Sequence, residues 1–169
     1  MAILVVLRGS LQNGEILRTT LRWVPSLGLD LAFRMDAFVW LFVTLVYGIA
    51  ILVLIYARYY LSPSDPVPRF HGVLMVFTGA MVGMLISGNI LMLVVFWELT
   101  SLVSFLLIGY WHQGQAARDG ARMALIVTGI GGMALLLAML ILGQIAGSYD
   151  LDRVLAAGEV VRAHPLYPL

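Results

Sequence analysis

An all-α integral membrane protein, with about four transmembrane helices preceded by a short β-hairpin, is the fold class this sequence predicts. Three observations carry the expectation. Of the 169 residues 62% are hydrophobic and 11% charged, where soluble domains carry about 25% charge, and the mean hydropathy is +0.98. Several long stretches hold no charge at all. Ahead of them lies a segment whose apolar residues recur with the period of a strand rather than that of a helix.

Residues 1–7 are apolar with no basic residue before them, so they lack the layout of a signal peptide and read as the end of a truncated hydrophobic helix. Next, Leu17, Thr19, Leu21 and Trp23 alternate with Arg18, Thr20 and Arg22. Leu27, Leu29, Leu31, Phe33 and Met35 alternate in the same way with Gly28, Asp30, Ala32 and Arg34. With Pro25-Ser26 between them, the two runs read as a β-hairpin packed at one membrane face; the alternative is an irregular surface loop. Residues 37–57 then form an uncharged run between Asp36 and Arg58, long enough as a helix to cross about 30 Å of hydrocarbon. Between residues 72 and 117 the only carboxylate or imidazole belongs to Glu98 or His112. That stretch is too long for one crossing, and Ser87-Gly88-Asn89 has the residue types of a turn. A last uncharged run follows Arg122 and ends at Asp150. The crossings are therefore placed at 37–57, 71–87, 90–111 and 122–146.

Three parts follow: 1–36, a helix end plus hairpin; 37–146, the four-helix transmembrane segment; and 147–169, a surface segment. In the last part Asp150 is placed to cap a short helix, LDRVLAAGEVVRAH, which His164-Pro165 ends. The proline-rich connector 61–68 and the polar connector 113–120 lie two crossings apart, hence on one side. They bring Arg58, Arg69, Arg118 and Arg122 against Asp65 and Asp119. The count of arginines gives no clear excess on either face and casts only a weak vote for the proline-rich loop in the cytoplasm.

Glu98 is the residue that asks for an explanation. It lies in FWELTSLVSFLLIGYW, residues 96–111, near the middle of the third crossing. The thirteen Leu, Ile, Val and Phe residues of 90–111 supply about −4 to −8 kcal/mol of insertion energy against about +3 for one central acid. The helix inserts, but the bilayer does nothing for the acid. A glutamate at that depth cannot reach the interface as a longer basic chain would, so it faces a packed interior or a wet cavity and is a functional candidate by default. Burial favours the neutral form of a carboxylate and a nearby cation the ionised form; a group held between those two influences can load and release protons near neutral pH. Ser101 shares the helical face of Glu98 and is placed to hydrogen-bond the acid or a bridging water. The alternative is a protonated Glu98 that only ties two helices together. No uncharged run contains a cation, so an ionised Glu98 needs a counter-charge from outside this chain.

Other residues carry weaker signals. Gly79-x-x-x-Gly83, continued by Ser87, and Gly129, Gly131 and Gly132 are the small residues that let helices approach. Trp97 reads as an inner aromatic, Tyr110 and Trp111 as an interfacial belt. Thr78, Thr100, Ser104 and Thr128 read as helix-packing hydroxyls, and Trp97, Thr100, Thr128 and His112 join Ser101 as the candidate supports for Glu98. His112 at a helix exit and His71 at a helix start read as solvated interfacial histidines, able to pass protons at neutral pH.

Several function classes drop out. There is no cysteine, hence no disulfide or iron–sulfur ligation; all ten basic residues are arginine; and the net charge of +1 gives no nucleic-acid footprint. No spacing of histidines and acids suggests a metal site, and no phosphate loop, nucleophile elbow or dinucleotide fingerprint is present. Neither cofactor nor enzymatic chemistry is expected.

With these residues in view, the chain resembles the A subunits of the Mrp-type multisubunit sodium/proton antiporters, a family related to the proton-pumping membrane subunits of respiratory complex I. The likeness runs through WVPSLG (23–28), FRMD (33–36), YARYYLS (56–62), SGN (87–89), FWELTS (96–101), SFLLIGYW (104–111), VTGIGG (127–132) and GSYDL (147–151). It implies that Glu98 is the intramembrane glutamate of an acid–lysine pair in the ion pathway. The lysine would lie on a next helix that would begin just beyond His164–Leu169, which would explain a chain without lysine. It implies an extracytoplasmic hairpin, a cytoplasmic proline-rich loop, and a multi-pass place in the cell membrane. The expected partners are other antiporter subunits, the lipid bilayer, and Na+ and H+ as transported ions, with no nucleic acid. Family members are several times longer, so the chain is expected to be a fragment. Two rival readings stay open: a proton-translocating subunit of a complex I-like NADH:quinone oxidoreductase, and a structural membrane-assembly protein.

Overall fold

A computed structural model describes residues 16–24, 29–62 and 65–165. The expected helix end at 1–7, the hairpin tip at Pro25-Ser26 and the last four residues of the chain lie outside the described residues. Two strands come first, β1 (Leu17–Val24) and β2 (Leu29–Met35). Among the described residues six helices follow: α1 (Ala37–Tyr60), α2 (Val67–Leu85), α3 (Ile90–Ile108), α4 (Gln115–Ala146), α5 (Leu151–Ala156) and α6 (Gly158–Ala163). Helices α1 to α4 are each long and apolar enough to cross a membrane.

The period-two segment does form an antiparallel hairpin, with Leu17 opposite Met35, Leu21 opposite Leu31, and a register shift between Arg22 and Val24. It places Arg18 directly opposite Arg34, a like-charge pair that by itself opposes strand pairing. Asp152 of α5 resolves the conflict by pairing with both guanidinium groups, and Arg34 also reaches Asp36 at 2.5 Å. Asp36 in turn caps α1, accepting the Val39 N–H at 2.8 Å. One chain of charges thus joins the hairpin, the start of α1 and the surface helix.

The break at Ser87–Asn89 is a structural hub. Gly88 N–H donates to Ala32 of β2 at 2.7 Å, Leu151 N–H donates to Gly88 at 2.9 Å, and Ile90 N–H donates to the Tyr149 carbonyl at 2.9 Å. Asn89, buried, caps α3 by accepting from Leu91 N–H at 2.9 Å and Met92 N–H at 3.3 Å. A side chain at Gly88 would press within 3.3 Å of Ala32, so the smallest residue is what lets the hairpin lie against the turn.

The helices pack in chain order, with α3 between α2 and α4. On α1 the buried residues Val43, Ala50 and Ala57 recur every seven positions, the stripe that meets a neighbouring helix at a shallow angle. Gly83 of α2 takes the Phe96 ring of α3 directly on its backbone, and the Ser87 hydroxyl donates to the Gly83 carbonyl at 2.8 Å. Gly79 faces open space, so only one glycine of the expected stripe makes the close approach.

Helix ends differ from expectation mostly on the side of the proline-rich loop. Helix α2 starts at Val67 rather than 71, with Pro66 and Pro68 at its first turn, where a missing N–H costs nothing. Helix α4 starts at Gln115 rather than 122, because Gln115, Ala116, Ala117 and Arg118 are good helix formers and Gln115 holds Asp119 one turn on at 3.1 Å. Helix α3 ends at Ile108 rather than 111, with Gly109 as its cap. Asp150 caps the surface helix as expected, through Asp152 N–H and Arg153 N–H at 3.1 Å. That helix is two short ones, divided at Ala157-Gly158, where glycine weakens helix continuation.

Candidate functional site

Helix α3 carries Glu98 halfway along its length and turns it toward α4. The side chain lies on the backbone of Gly132: a Cβ at that position would coincide with Glu98 Oε1 and come within 3.1 Å of Oε2. Gly132 is buried, whereas Gly129 and Gly131 on the same helix have no atom near where a side chain would begin. Of the three glycines read as a packing group, one makes the niche for the acid. Glu98 Oε1 is buried and has no hydrogen-bond partner among the described residues, and no ion pair involving Glu98 occurs among them. An unpaired polar oxygen inside a helix bundle is costly in a folded protein, which distinguishes this position from ordinary packing.

The hydroxyls near Glu98 point elsewhere. Ser101 Oγ, buried, donates to the Trp97 carbonyl at 3.2 Å, and Thr100 Oγ1 donates to the same carbonyl at 2.7 Å. Thr128 Oγ1 donates to the Ala124 carbonyl at 2.8 Å. Each hydroxyl has spent its proton on its own helix and offers only lone pairs outward. Trp97, Thr100, Ser101 and Thr128 meet along one groove of about 560 Å³ between α3 and α4, with Gly131 on its wall. Trp97 is 42% exposed there, so within the described residues it rims the groove rather than filling a core. Glu98 sits one position along from Trp97, and Gly132 one along from Gly131; the acid and the groove occupy neighbouring faces of the same helix pair.

His112 is not part of this group. It is exposed beyond the end of α3, its Nδ1 3.4 Å from the Tyr110 carbonyl, and it lines a separate crevice with Arg69, Arg118 and Arg122. Tyr110, beside it, is buried against Phe70 and Trp111. Burial first, and the charge of Asp65 second, push its phenol above the ordinary tyrosine value despite the opposing Arg69, so it stays a neutral hydroxyl at physiological pH. Sequence reasoning missed Gly132 as the partner of Glu98. The signal was present as a glycine cluster, but only the helix crossing says which of its members faces the acid.

Fold and site together define a multi-pass helical membrane protein with a carboxylate set between two of its helices. Residues 87–165 match the family model described as NADH:quinone oxidoreductase/Mrp antiporter, transmembrane region, and residues 23–71 match that for the NADH-ubiquinone oxidoreductase (complex I) chain 5 N-terminus. The probable A/B subunit of a K(+)/H(+) antiporter from Rhizobium meliloti (strain 1021) is 56% identical over 155 residues, 92% of this chain and 16% of that protein. The A1 subunit of a Na(+)/H(+) antiporter from Staphylococcus haemolyticus (strain JCSC1435) is 36% identical over 156 residues, 92% of this chain and 19% of that protein. The Mrp complex from Dietzia sp. DQ12-45-1b contains a chain that superposes with a TM-score of 0.83 at 28% identity, over 98% of this chain and 18% of that one. A chain of the membrane-bound sulfane sulfur reductase, an archaeal respiratory complex, shares the fold at a TM-score of 0.68 and 20% identity. The chain is thus similar to the NADH:quinone oxidoreductase/Mrp antiporter membrane subunits over residues 87–165 and to antiporter A subunits over 92% of its own length. It spans less than a fifth of the length of the curated relatives it matches.

Proposed function

We propose that this chain is part of the ion-translocating subunit of a multisubunit monovalent-cation/proton antiporter in the cell membrane, and that Glu98 is the group through which it handles protons. One observation carries the reading: a carboxylate halfway along α3, one oxygen buried and unpaired, in a niche that Gly132 leaves open. When a positive charge approaches a carboxylate a proton leaves, and when the charge withdraws a proton returns. Uptake and release of a proton in step with that moving charge is the proton half of an antiport cycle, to which passage of the transported cation is coupled. The chain has no lysine, so the approaching charge is an ammonium group from outside it, the lysine that the family resemblance implies. The outward lone pairs of Thr100, Ser101 and Thr128 suit the groove to water or a small cation passing near the acid. The transported cation is Na+ or K+; the names of the relatives compared include both, and the 56% identical one names K+.

The test is Glu98→Gln in the complete complex, assayed in everted vesicles by the collapse of a pH gradient on adding Na+ or K+. Antiport should fall at least about tenfold while the complex assembles normally; undiminished antiport removes Glu98 from the mechanism. A proton-translocating subunit of a complex I-like oxidoreductase is the second reading, favoured by the match over residues 23–71. It predicts proton movement in the same vesicles that responds to NADH and not to either cation.

A further inference from the structure

At the end of the bundle far from the hairpin, a crevice of about 270 Å³ opens between the first turn of α2, the last turn of α3 and the first two turns of α4. Its polar wall is Arg69, Arg118 and Arg122, with His112 beside them, and its apolar wall is Phe105 and Leu106. Among the described residues, none of the three arginines has a carboxylate within ion-pair distance. The two acids of this end are engaged elsewhere. Asp65 accepts from Ser62 N–H at 2.9 Å and from Trp111 Nε1 at 3.3 Å, and Asp119 accepts from Gln115 at 3.1 Å. Arg118 is held in place by the carbonyls of His112, at 3.1 Å, and Gln113, at 3.4 Å, contacts that orient a guanidinium without neutralising it. The N-terminus of α4 has no capping side chain, and its unpaired N–H groups add to the positive potential of this end.

Depth decides what fits. Arg122 is the last charge before the uncharged run of α4, so it marks the level at which headgroups give way to hydrocarbon. Tyr59, Tyr60 and Trp111, all exposed, surround the same end of the bundle, as aromatic residues do at a membrane–water boundary. A soluble anion needs only the arginines; the apolar wall below them needs a ligand that is anionic at the top and hydrocarbon beneath. Guanidinium groups bind phosphate oxygens in paired hydrogen bonds, and basic pockets between membrane helices on one face are suited to anionic headgroups.

We propose that this crevice binds the phosphate of an anionic phospholipid, with one acyl chain lying along Phe105 and Leu106. The inference rests on the membrane-spanning fold and not on the role given to Glu98, so either can fail alone. The test uses the complete complex in nanodiscs or detergent, titrated with phosphatidylglycerol and with phosphatidylcholine and read by native mass spectrometry. The wild type should retain phosphatidylglycerol at least about tenfold more strongly than phosphatidylcholine. Arg69→Gln combined with Arg122→Gln should abolish that preference, while Arg58→Gln, on the same face but outside the crevice, should keep it. Equal retention of both lipids by the wild type overturns the proposal without recourse to any variant. So does displacement of phosphatidylglycerol by millimolar inorganic phosphate, which would make this a site for the free ion. Cross-linking of the crevice to an acidic segment of another protein in the assembled complex would make it a protein contact and overturn it equally.

Discussion

Replacing Gly132 by alanine is the sharpest perturbation the structure offers. The new methyl group would take the place of Glu98 Oε1. Non-bonded atoms need roughly 3.5 Å of separation, so the carboxylate must retreat by on the order of 2 Å, or the helices must part. A glutamate tip is flexible, and the side chain gives way first, at a rotamer cost of about 1 kcal/mol. Alanine in mid-helix returns about 1 kcal/mol relative to glycine, so net stability should change by less than about 2 kcal/mol, toward the lower end of the range for overpacking. Function should not be so forgiving: misplacing a reacting group by an ångström can cost about a hundredfold in rate. Gly132→Ala in the complete complex should assemble at close to wild-type yield, and antiport measured in everted vesicles should fall at least about tenfold. Gly129→Ala, where nothing lies within 4 Å of the added carbon, is the matched control and should transport normally. Wild-type antiport from a well-assembled Gly132→Ala protein would refute the link between this niche and transport.

Three further outcomes follow from the fold. Asn89→Ala removes the acceptor for two N–H groups at the start of α3 and should cost about 1 kcal/mol in thermal or denaturant unfolding, with Asn89→Asp recovering most of it. Asp152→Asn leaves Arg18 facing Arg34 across the hairpin. Since Arg18 is half exposed and Arg34 keeps Asp36 as a partner, the loss should be about 1 kcal/mol, seen as faster hydrogen exchange in β1 and β2, and smaller at high salt. Burial works against the ionised Asp36, but hydrogen bonds from Val39 N–H and Arg34, the charge of Arg34, and Phe38 N–H outweigh it and hold its carboxyl below the ordinary value of 3.8. A group lowered on folding contributes stability that is full above its unfolded value and is lost as pH falls through its folded value. Protection from exchange in the first turn of α1 should therefore be steady down to about pH 4 and fall below it, and Asp36→Asn should remove that acid step.

The sequence alone determined the membrane class, the four apolar spans, the hairpin before them, the turn at Ser87–Asn89 and the place of Glu98 midway along the third span. All of these depend on local quantities: run length, residue period and turn chemistry act over a few neighbours and survive without knowledge of the fold. Helix ends were legible only in part, because capping at Gly109 and the helix-forming stretch 115–118 competed with a reading drawn from charge alone. Only tertiary structure decided that Gly132, and neither Gly129 nor Gly131, faces the acid, that Asp152 separates two opposed arginines, and that Arg69, Arg118 and Arg122 crowd one crevice. Those facts turn on how each helix is rotated about its axis and where it crosses the next. Many residues far apart in the chain set that rotation together, and no short stretch records it.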